Sequence, residues 1–362
     1  MSEKQEILDI LREEDKTIDY NIGNKTKMEF TSKTHYLIFQ NIYVDILCYC
    51  LITIVILGSA YLTLNVDEQT REIRIINPTY KIPSWSDLLP SLYFLIPSYL
   101  LNLVFRRLVI KWAERNLDTV YTQDNDQDII KSYSKKVCSN IFKFFFYLFN
   151  TVVGYYVLKD LPFMPKMLLG GGSFDVLFKP GYPQLLYWDK PHLFDIYYNL
   201  NITFSIFDLI ILLTNSLQSD FLIMILHHFA SISLQIFSYL YGYSNVGCII
   251  CFLHYYGDIY SYIVRTFIYL KGQEKNVFYS TVVFLLMFFY TRIIVFPSII
   301  YDILVGLTHE WNFIEYSMVT FLCFLLCLHV LWTTLITKKL VKYCMTGQIE
   351  EIYKVKINKK HI

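Results

Sequence analysis

Long apolar blocks dominate the pattern of this chain, and the polar residues gather between them. Each block is an uncharged or nearly uncharged run of around 20 residues, the length at which an α-helix crosses hydrocarbon. Read as helices, the blocks predict spans at about 42–64, 87–108, 139–160, 193–214, 220–241, 245–269, 277–304 and 312–337. The expected fold is therefore all-α, a polytopic transmembrane helical bundle of about eight spans. Pro90 and Pro97 interrupt the second span, which neighbouring helices accommodate. Arg292 and Pro297 fall inside the seventh, and a kink is expected there because proline removes a backbone donor.

Composition agrees with this reading. Of 362 residues, 54% are hydrophobic and 18% aromatic, only 17% are charged, and the mean hydropathy is +0.37. A soluble domain of this size carries about a quarter charged residues. A net charge of +1 argues against a nucleic-acid partner. The eight cysteines lie mostly inside apolar segments, and the Cys248/Cys251 pair has no second pair to make a metal site with, so they read as small packing residues. The first ~40 residues are polar and mixed in charge, unlike a cleavable signal peptide.

Charge also orients the bundle. Lys and Arg are dense between spans two and three, from Arg106 to Lys136, and again after span eight, from Lys338 to Lys360. Loops 65–86 and 161–192 are poorer in them, so both termini are expected in the cytosol. The expected organisation is a cytosolic leader at 1–41, two spans and a basic loop at 42–129, a six-span domain at 130–345, and a basic cytosolic tail at 346–362. In this topology the sequon at Asn24 stays unmodified, and the rival is seven spans with a luminal N-terminus. The ending Lys359-Lys360-His361-Ile362 resembles a dilysine signal for return to the endoplasmic reticulum, read by a receptor in the cytosol. Gly170 to Gly172 lack a following Lys-Ser/Thr, so the 161–192 loop is not a phosphate loop. It is expected to rest at the headgroup level, anchored by Tyr187 and Trp188.

Candidate chemistry lies in the apolar blocks themselves. Ionisable residues inside a membrane are costly and mark a functional site by default. His227 and His228 stand near the middle of span five, and His254, Asp258 and Arg265 in span six. At helical spacing His228, Ser231, Gln235 and Ser238 share a face, as do His254, Asp258 and Arg265. Span four adds Asn201, Ser205, Asp208 and Asn215, and span eight His329 and Thr333. These stripes are expected to meet inside the bundle, where polar groups find partners. Single polar residues such as Asn201 or Thr333 read as interhelical hydrogen-bonding groups. A His pair with a carboxylate on a neighbouring helix is different: an imidazole acts as base or nucleophile while the carboxylate orients it.

Eight histidines without an HxxxH box are too few for a di-metal oxygenase, and Met224 breaks the HxxHH box of elongating condensing enzymes. A metal-free His and Asp site open to lipid remains, suited to acyl transfer. A transporter would show internal repeats or paired broken helices, and the sequence has neither.

At these residues the chain resembles the TLC (TRAM–Lag–CLN) domain family, and within it the ceramide synthases. The motif begins at Asp220, reaches His227-His228 and Ser238-Tyr239, and continues through Gly247 to Leu253-His254 and Asp258. Thr291-Arg292 to Phe296-Pro297 is similar to the family's RLxxFP element, Leu328-His329-Val330-Leu331-Trp332 to its LHxxW element, and Phe144 to Tyr147 to its FxFY stretch. The resemblance covers about residues 130–345, without a homeobox-like insert. It implies an endoplasmic-reticulum enzyme that joins a fatty acyl group from acyl-CoA to the amine of a sphingoid base. No cofactor beyond the acyl-CoA co-substrate and no metal is implied; membrane lipid is a partner, and homodimerisation is left open. Carried over, His227 and His228 are the base and the acyl-accepting or orienting group, with Asp258 as supporting carboxylate. His254, Arg292, Ser238, Tyr239, His329 and Trp332 are the implied substrate-binding set, with Arg292 toward the CoA or headgroup end. One departure stands out: the family's HDxxD reads His254-Tyr255-Tyr256-Gly257-Asp258 here, and TRAM proteins also carry a His-Tyr step. A non-catalytic lipid-binding or translocon-associated protein of the same fold is therefore the alternative.

Overall fold

A computed structural model describes residues 83–118, 127–178, 193–214, 221–306 and 313–346. The leader, the first expected span, Tyr187, Trp188, Asn215 and the Lys359-Lys360 ending lie outside the described residues. Helices follow one another as α1 (Leu89–Tyr93), α2 (Leu95–Asn116), α3 (Gln127–Leu158), α4 (Phe194–Thr214), α5 (Phe221–Leu240), α6 (Ser244–Phe267), α7 (Glu274–Phe289), a π-helical turn (Tyr290–Val295), α8 (Phe296–Gly306) and α9 (Phe313–Thr346). Among the described residues the secondary structure is helical, apart from two isolated β-bridges. Six stretches are long and apolar enough to cross a membrane: Trp85–Asn116, Ile129–Leu158, Phe194–Leu213, Phe221–Leu240, Glu274–Gly306 and Phe313–Met345. The protein is a polytopic membrane protein.

The helix left out of that set is the one at the centre. α6 has 24 residues, about 36 Å at 1.5 Å per residue, so length is not what sets it apart. It is too polar to face lipid, and 15 of its residues are buried. It packs against α3, α7, α5, α4 and the π-turn. The Trp85–Asn116 stretch is the opposite case, with only 11% of its apolar window buried and a surface of leucines and tyrosines turned outward. Polar residues thus sort to the helix that other helices cover, because lipid offers a buried donor or acceptor no partner.

Two boundaries differ from the sequence expectation. α2 runs on to Asn116 and α3 begins at Gln127, so helix continues through much of the basic segment read as a loop. Hydropathy reports the part of a helix in hydrocarbon, whereas these ends are held by packing. Ala113 and Leu117 pack on Tyr133, Val137 and Cys138, with Tyr269 and Leu270 of the α6–α7 turn against them. The Asp118 N–H donates to the Tyr269 carbonyl at 2.9 Å and the Lys271 N–H to that of Asn116 at 3.0 Å. Phe278 and Tyr343 bring the start of α7 against the end of α9 at this same basic end.

The loop after α3 has structure of its own, and its described part, 161–178, is folded back on itself. Phe163 and Met164 are fully buried and Phe174 nearly so. The Gly172 N–H donates to the Met164 carbonyl and the Ser173 N–H to that of Pro162. Tyr290 reaches across to donate its hydroxyl to the Met167 carbonyl at 2.8 Å. The glycines serve this close packing: a Cβ on Gly172 would collide with the Pro162 carbonyl, whereas one on Gly171 would meet nothing within 4 Å.

Gly172→Ala is accordingly expected to cost about 1–3 kcal/mol through forced backbone movement, and Gly171→Ala to stay within about 0.5 kcal/mol of the parent. Thermal unfolding of the two variants in the same detergent checks this. Equal losses would mean the loop is not packed as described.

Candidate active site

Three local features of the sequence bring the site together. Pro297 has no N–H, so the Ile293 carbonyl cannot find its α-helical donor. The chain answers with the π-turn at Tyr290–Val295, where a sharp kink was expected. Such turns are rare and frequently mark functional sites. On the facing helix Gly257 leaves room for it, since a Cβ there would lie 2.7 Å from Thr291 Oγ1. Arg292 thereby enters the bundle at 2% exposure.

Arg292 donates to Asp258 Oδ1 at 2.8 Å and to the His254 carbonyl at 3.1 Å, both through the same terminal nitrogen. Its guanidinium also lies over the Phe288 ring, 5.6 Å from the centroid. Asp258 is 28% exposed, so the carboxylate is anchored on one side and open to a cavity on the other. It is held by a guanidinium rather than by an imidazole.

Four imidazoles surround this pair. His227 and His228 of α5 are 5.5 Å apart between ring centroids, and His227 meets Trp332 of α9 edge-on at 5.2 Å. His254 and His329 are 5.2 Å apart, with Phe296 edge-on to both at 5.4 and 5.0 Å. His254 Nδ1 is 2.7 Å from the Ile250 carbonyl. A carbonyl only accepts, so the proton sits on Nδ1 and Nε2 is left as the acceptor. Among the described residues no group of three His, Cys, Asp or Glu side chains converges as a metal ion requires.

Two cavities meet at this point. One runs between α5, α6 and α9 to Ser238, Tyr243, Ile303 and Glu315 at the end away from the basic face; its walls are mainly apolar. The other opens toward the basic end and is lined by Lys143, Arg265, Arg292, His329 and Trp332. Both are lined by Tyr147, Asp208, His227, His228 and Asp258, which form the neck between them. His228 lies seven residues into α5, about 10 Å from its start at the basic end. The apolar chamber takes up the remaining length of that helix.

The residues singled out from the sequence divide accordingly. His227, His228 and Asp258 line the neck, His254 the apolar chamber, and Arg292, His329 and Trp332 the polar vestibule. Ser238 lies further along the apolar chamber, bonded to the Tyr198 hydroxyl at 2.6 Å. Tyr239 is not among the cavity walls; its hydroxyl donates to Asp195 at 3.2 Å and it is buried structurally. Tyr255 packs on Tyr147 at 5.1 Å and donates to the Asn201 carbonyl at 3.2 Å. Cys248 and Cys251 are buried packing thiols.

Sequence reasoning passed over Lys143, whose ammonium pairs with Asp208 at 2.8 Å. The signal was present, a lone cation inside an aromatic run. It also passed over Glu315, which accepts from the Tyr243 hydroxyl beyond the far end of α5. Burial, reinforced by that carboxylate, holds the Tyr243 phenol well above its ordinary pKa, so it stays a donor.

Fold and site define a helical membrane protein with a histidine- and aspartate-lined neck joining a polar vestibule to an apolar chamber. The TLC domain matches residues 136–338, more than half of the chain. The chain belongs to the TLC domain family. Ceramide synthase 4 of Bos taurus is 28% identical over 223 residues, covering 60% of this chain and 53% of its own length. Ceramide synthase 3 of Mus musculus is 29% identical over 223 residues, covering 60% and 55%. An ASC1-like protein of Solanum lycopersicum is 26% identical over 290 residues, covering 76% and 91%. The chain spans about half the length of the two ceramide synthases.

Removing Arg292 tests the ion pair. Arg292→Met strands a carboxylate within the bundle and is expected to cost about 3–5 kcal/mol, much of it regained in Arg292→Met/Asp258→Leu, where neither charge remains. Thermal unfolding of the two in detergent measures this, and a double variant no better than the single would show that the two side chains are not coupled.

Proposed function

We propose that the protein is an acyl-CoA-dependent sphingoid-base N-acyltransferase, a ceramide synthase, of the endoplasmic reticulum membrane. The observation that carries the reading is the neck: a His pair and carboxylates where an apolar chamber meets a cation-lined vestibule at the basic, cytosolic end. An acyl-CoA has the matching form, an apolar chain joined by a thioester to a polyanion. With the chain in the chamber and the CoA toward Lys143, Arg265 and Arg292, the thioester lies beside His227 and His228.

In the reaction a C–N bond forms between the amine and the thioester carbonyl, and the C–S bond breaks. One imidazole takes the proton that the amine sheds and passes it to the departing thiolate, so the products are the amide and free CoA. The second imidazole orients the first or accepts the acyl group transiently. Asp258, held in place by Arg292, is the supporting carboxylate at the neck beside the His pair.

The second reading is a non-catalytic lipid-binding protein of the same fold, and Tyr255 favours it. Against it, Tyr255 is engaged with Asn201 and Tyr147 and leaves the imidazoles and Asp258 at the neck.

Purified protein in detergent with added lipid, given a sphingoid base and a panel of acyl-CoAs, is expected to form N-acyl product detectable by mass spectrometry. His227→Ala/His228→Ala is expected to lose at least about 100-fold of that activity, the usual contribution of general acid–base groups, while remaining folded. Full activity in the double variant would sink the mechanism. No product from folded wild type at any chain length would hand the lead to the lipid-binding reading.

A further inference from the structure

Asp208, the partner of Lys143, takes no step in the scheme above, yet it lines both cavities at the neck. We propose that Asp208 is the docking site for the protonated amine of the acceptor, which takes the place Lys143 occupies in the empty enzyme. This rests on the N-acyltransferase reading and assigns it a residue outside the His pair and Asp258.

Charge is ordered along the path. Lys143, Arg265 and Arg292 line the vestibule and none of them lines the apolar chamber, whereas Asp208 and Asp258 stand at the neck and a third carboxylate, Glu315, lies at the far end of the chamber on the Tyr243 hydroxyl. A polyanionic donor is therefore held in the vestibule, and a cation is drawn past it to the neck. A sphingoid base carries an ammonium at neutral pH, and it has to arrive beside the base that deprotonates it. Asp208 is the carboxylate whose charge reaches the His228 ring.

The two carboxylates are not equally available. Asp258 is tied to a guanidinium that is 2% exposed and also bonded to the His254 carbonyl. Drawing Arg292 away would strand both charges in the bundle, which is strongly unfavourable. Lys143 is a single point charge on a flexible stem, and its side chain is 15% exposed on the vestibule wall. It can swing outward along the vestibule wall to the anionic part of the donor. Asp208, at 6% exposure, needs a cation beside it at all times, so the ammonium replaces Lys143 rather than filling a vacancy. The Tyr147 and Tyr262 rings beside the pair, with Lys143 already 5.6 Å from the Tyr262 centroid, offer aromatic faces suited to a cation.

The test is steady-state kinetics on the purified full-length protein, varying a C18 sphingoid base against saturating palmitoyl-CoA and then the reverse. Asp208→Asn is expected to raise the amine KM by about 10-fold or more while the acyl-CoA KM stays within about twofold. Asp208→Glu, which keeps the charge, is expected to recover most of that loss. Lys143→Asp/Asp208→Lys restores an ion pair but places a cation where the ammonium docks; amine binding is expected to stay impaired although the fold is kept. An unmoved amine KM in Asp208→Asn, equal rises for both substrates, or recovery in the swapped pair would each overturn the proposal. Where Asp208→Asn does not fold, Asp208→Glu and the swapped pair decide it alone. Wild type that forms no amide would overturn the enzymatic reading itself, whereas active wild type with an indifferent Asp208 overturns only the docking site.

Discussion

A charge within hydrocarbon has to be neutralised from inside the protein, and the pair between Arg292 and Asp258 is where this bundle meets that requirement most completely. The guanidinium is the largest fully buried side chain in the described residues. Bringing it to Asp258 takes the π-turn ahead of Pro297 and the absence of a side chain at Gly257. Once there, it ties α6 to the α7–α8 stretch through Asp258 and the His254 carbonyl together. The backbone irregularity, the glycine and the ion pair are one device. Its effect is to hold a carboxylate at the neck without enclosing it.

Because α6 carries that carboxylate, the other helices have to cover it. That explains why the long helix that falls short of a membrane-spanning apolar window is so enclosed, and why the stretch with the fewest buried positions, Trp85–Asn116, is left to face lipid. The apolar chamber follows from the same arrangement. α5 and α6 present Ser231, Ser238 and Gly247 toward each other, and α9 closes the space with Met318, Leu322 and Leu325. Gly247 already lies in contact with the Tyr198 hydroxyl and Ser238 Oγ, so a larger residue there would force the helices apart. The tunnel is what remains between helices that meet at small and polar residues while their bulky ones point elsewhere.

The helices were legible from the blocks of apolar residues, and the neck from the histidines and aspartates within them, because ionisable groups in a membrane have so few reasons to be there. What escaped was pairing. Lys143 was hidden in a run read for its aromatics, and only the fold brings it across to Asp208, 65 positions away. Arg292 was read as reaching toward substrate, whereas its first partner is Asp258. Tyr239 shares a motif with Ser238 but turns to Asp195, since adjacent residues on a helix point about 100° apart. The internal folding of the 161–178 loop was not legible either, because its glycines and aromatics suit many loop geometries and composition does not separate them.

Tyr255 gains a meaning from this geometry that its sequence position alone does not convey. The HDxxD pattern places two carboxylates on one helix, three residues apart. Here the first of those positions packs on Tyr147 and Phe204 and donates its phenol to the Asn201 carbonyl. A carboxylate at 255 would be a buried charge facing a carbonyl oxygen, and a tyrosine satisfies the site while filling the aromatic wall. The neck nevertheless has two carboxylates, because α4 contributes Asp208 opposite Asp258. Each has its own cation, one locked in place and one on a flexible stem. With Tyr255 in place of the family's first aspartate, the carboxylates at the neck come from two helices, α4 and α6, beside the His pair.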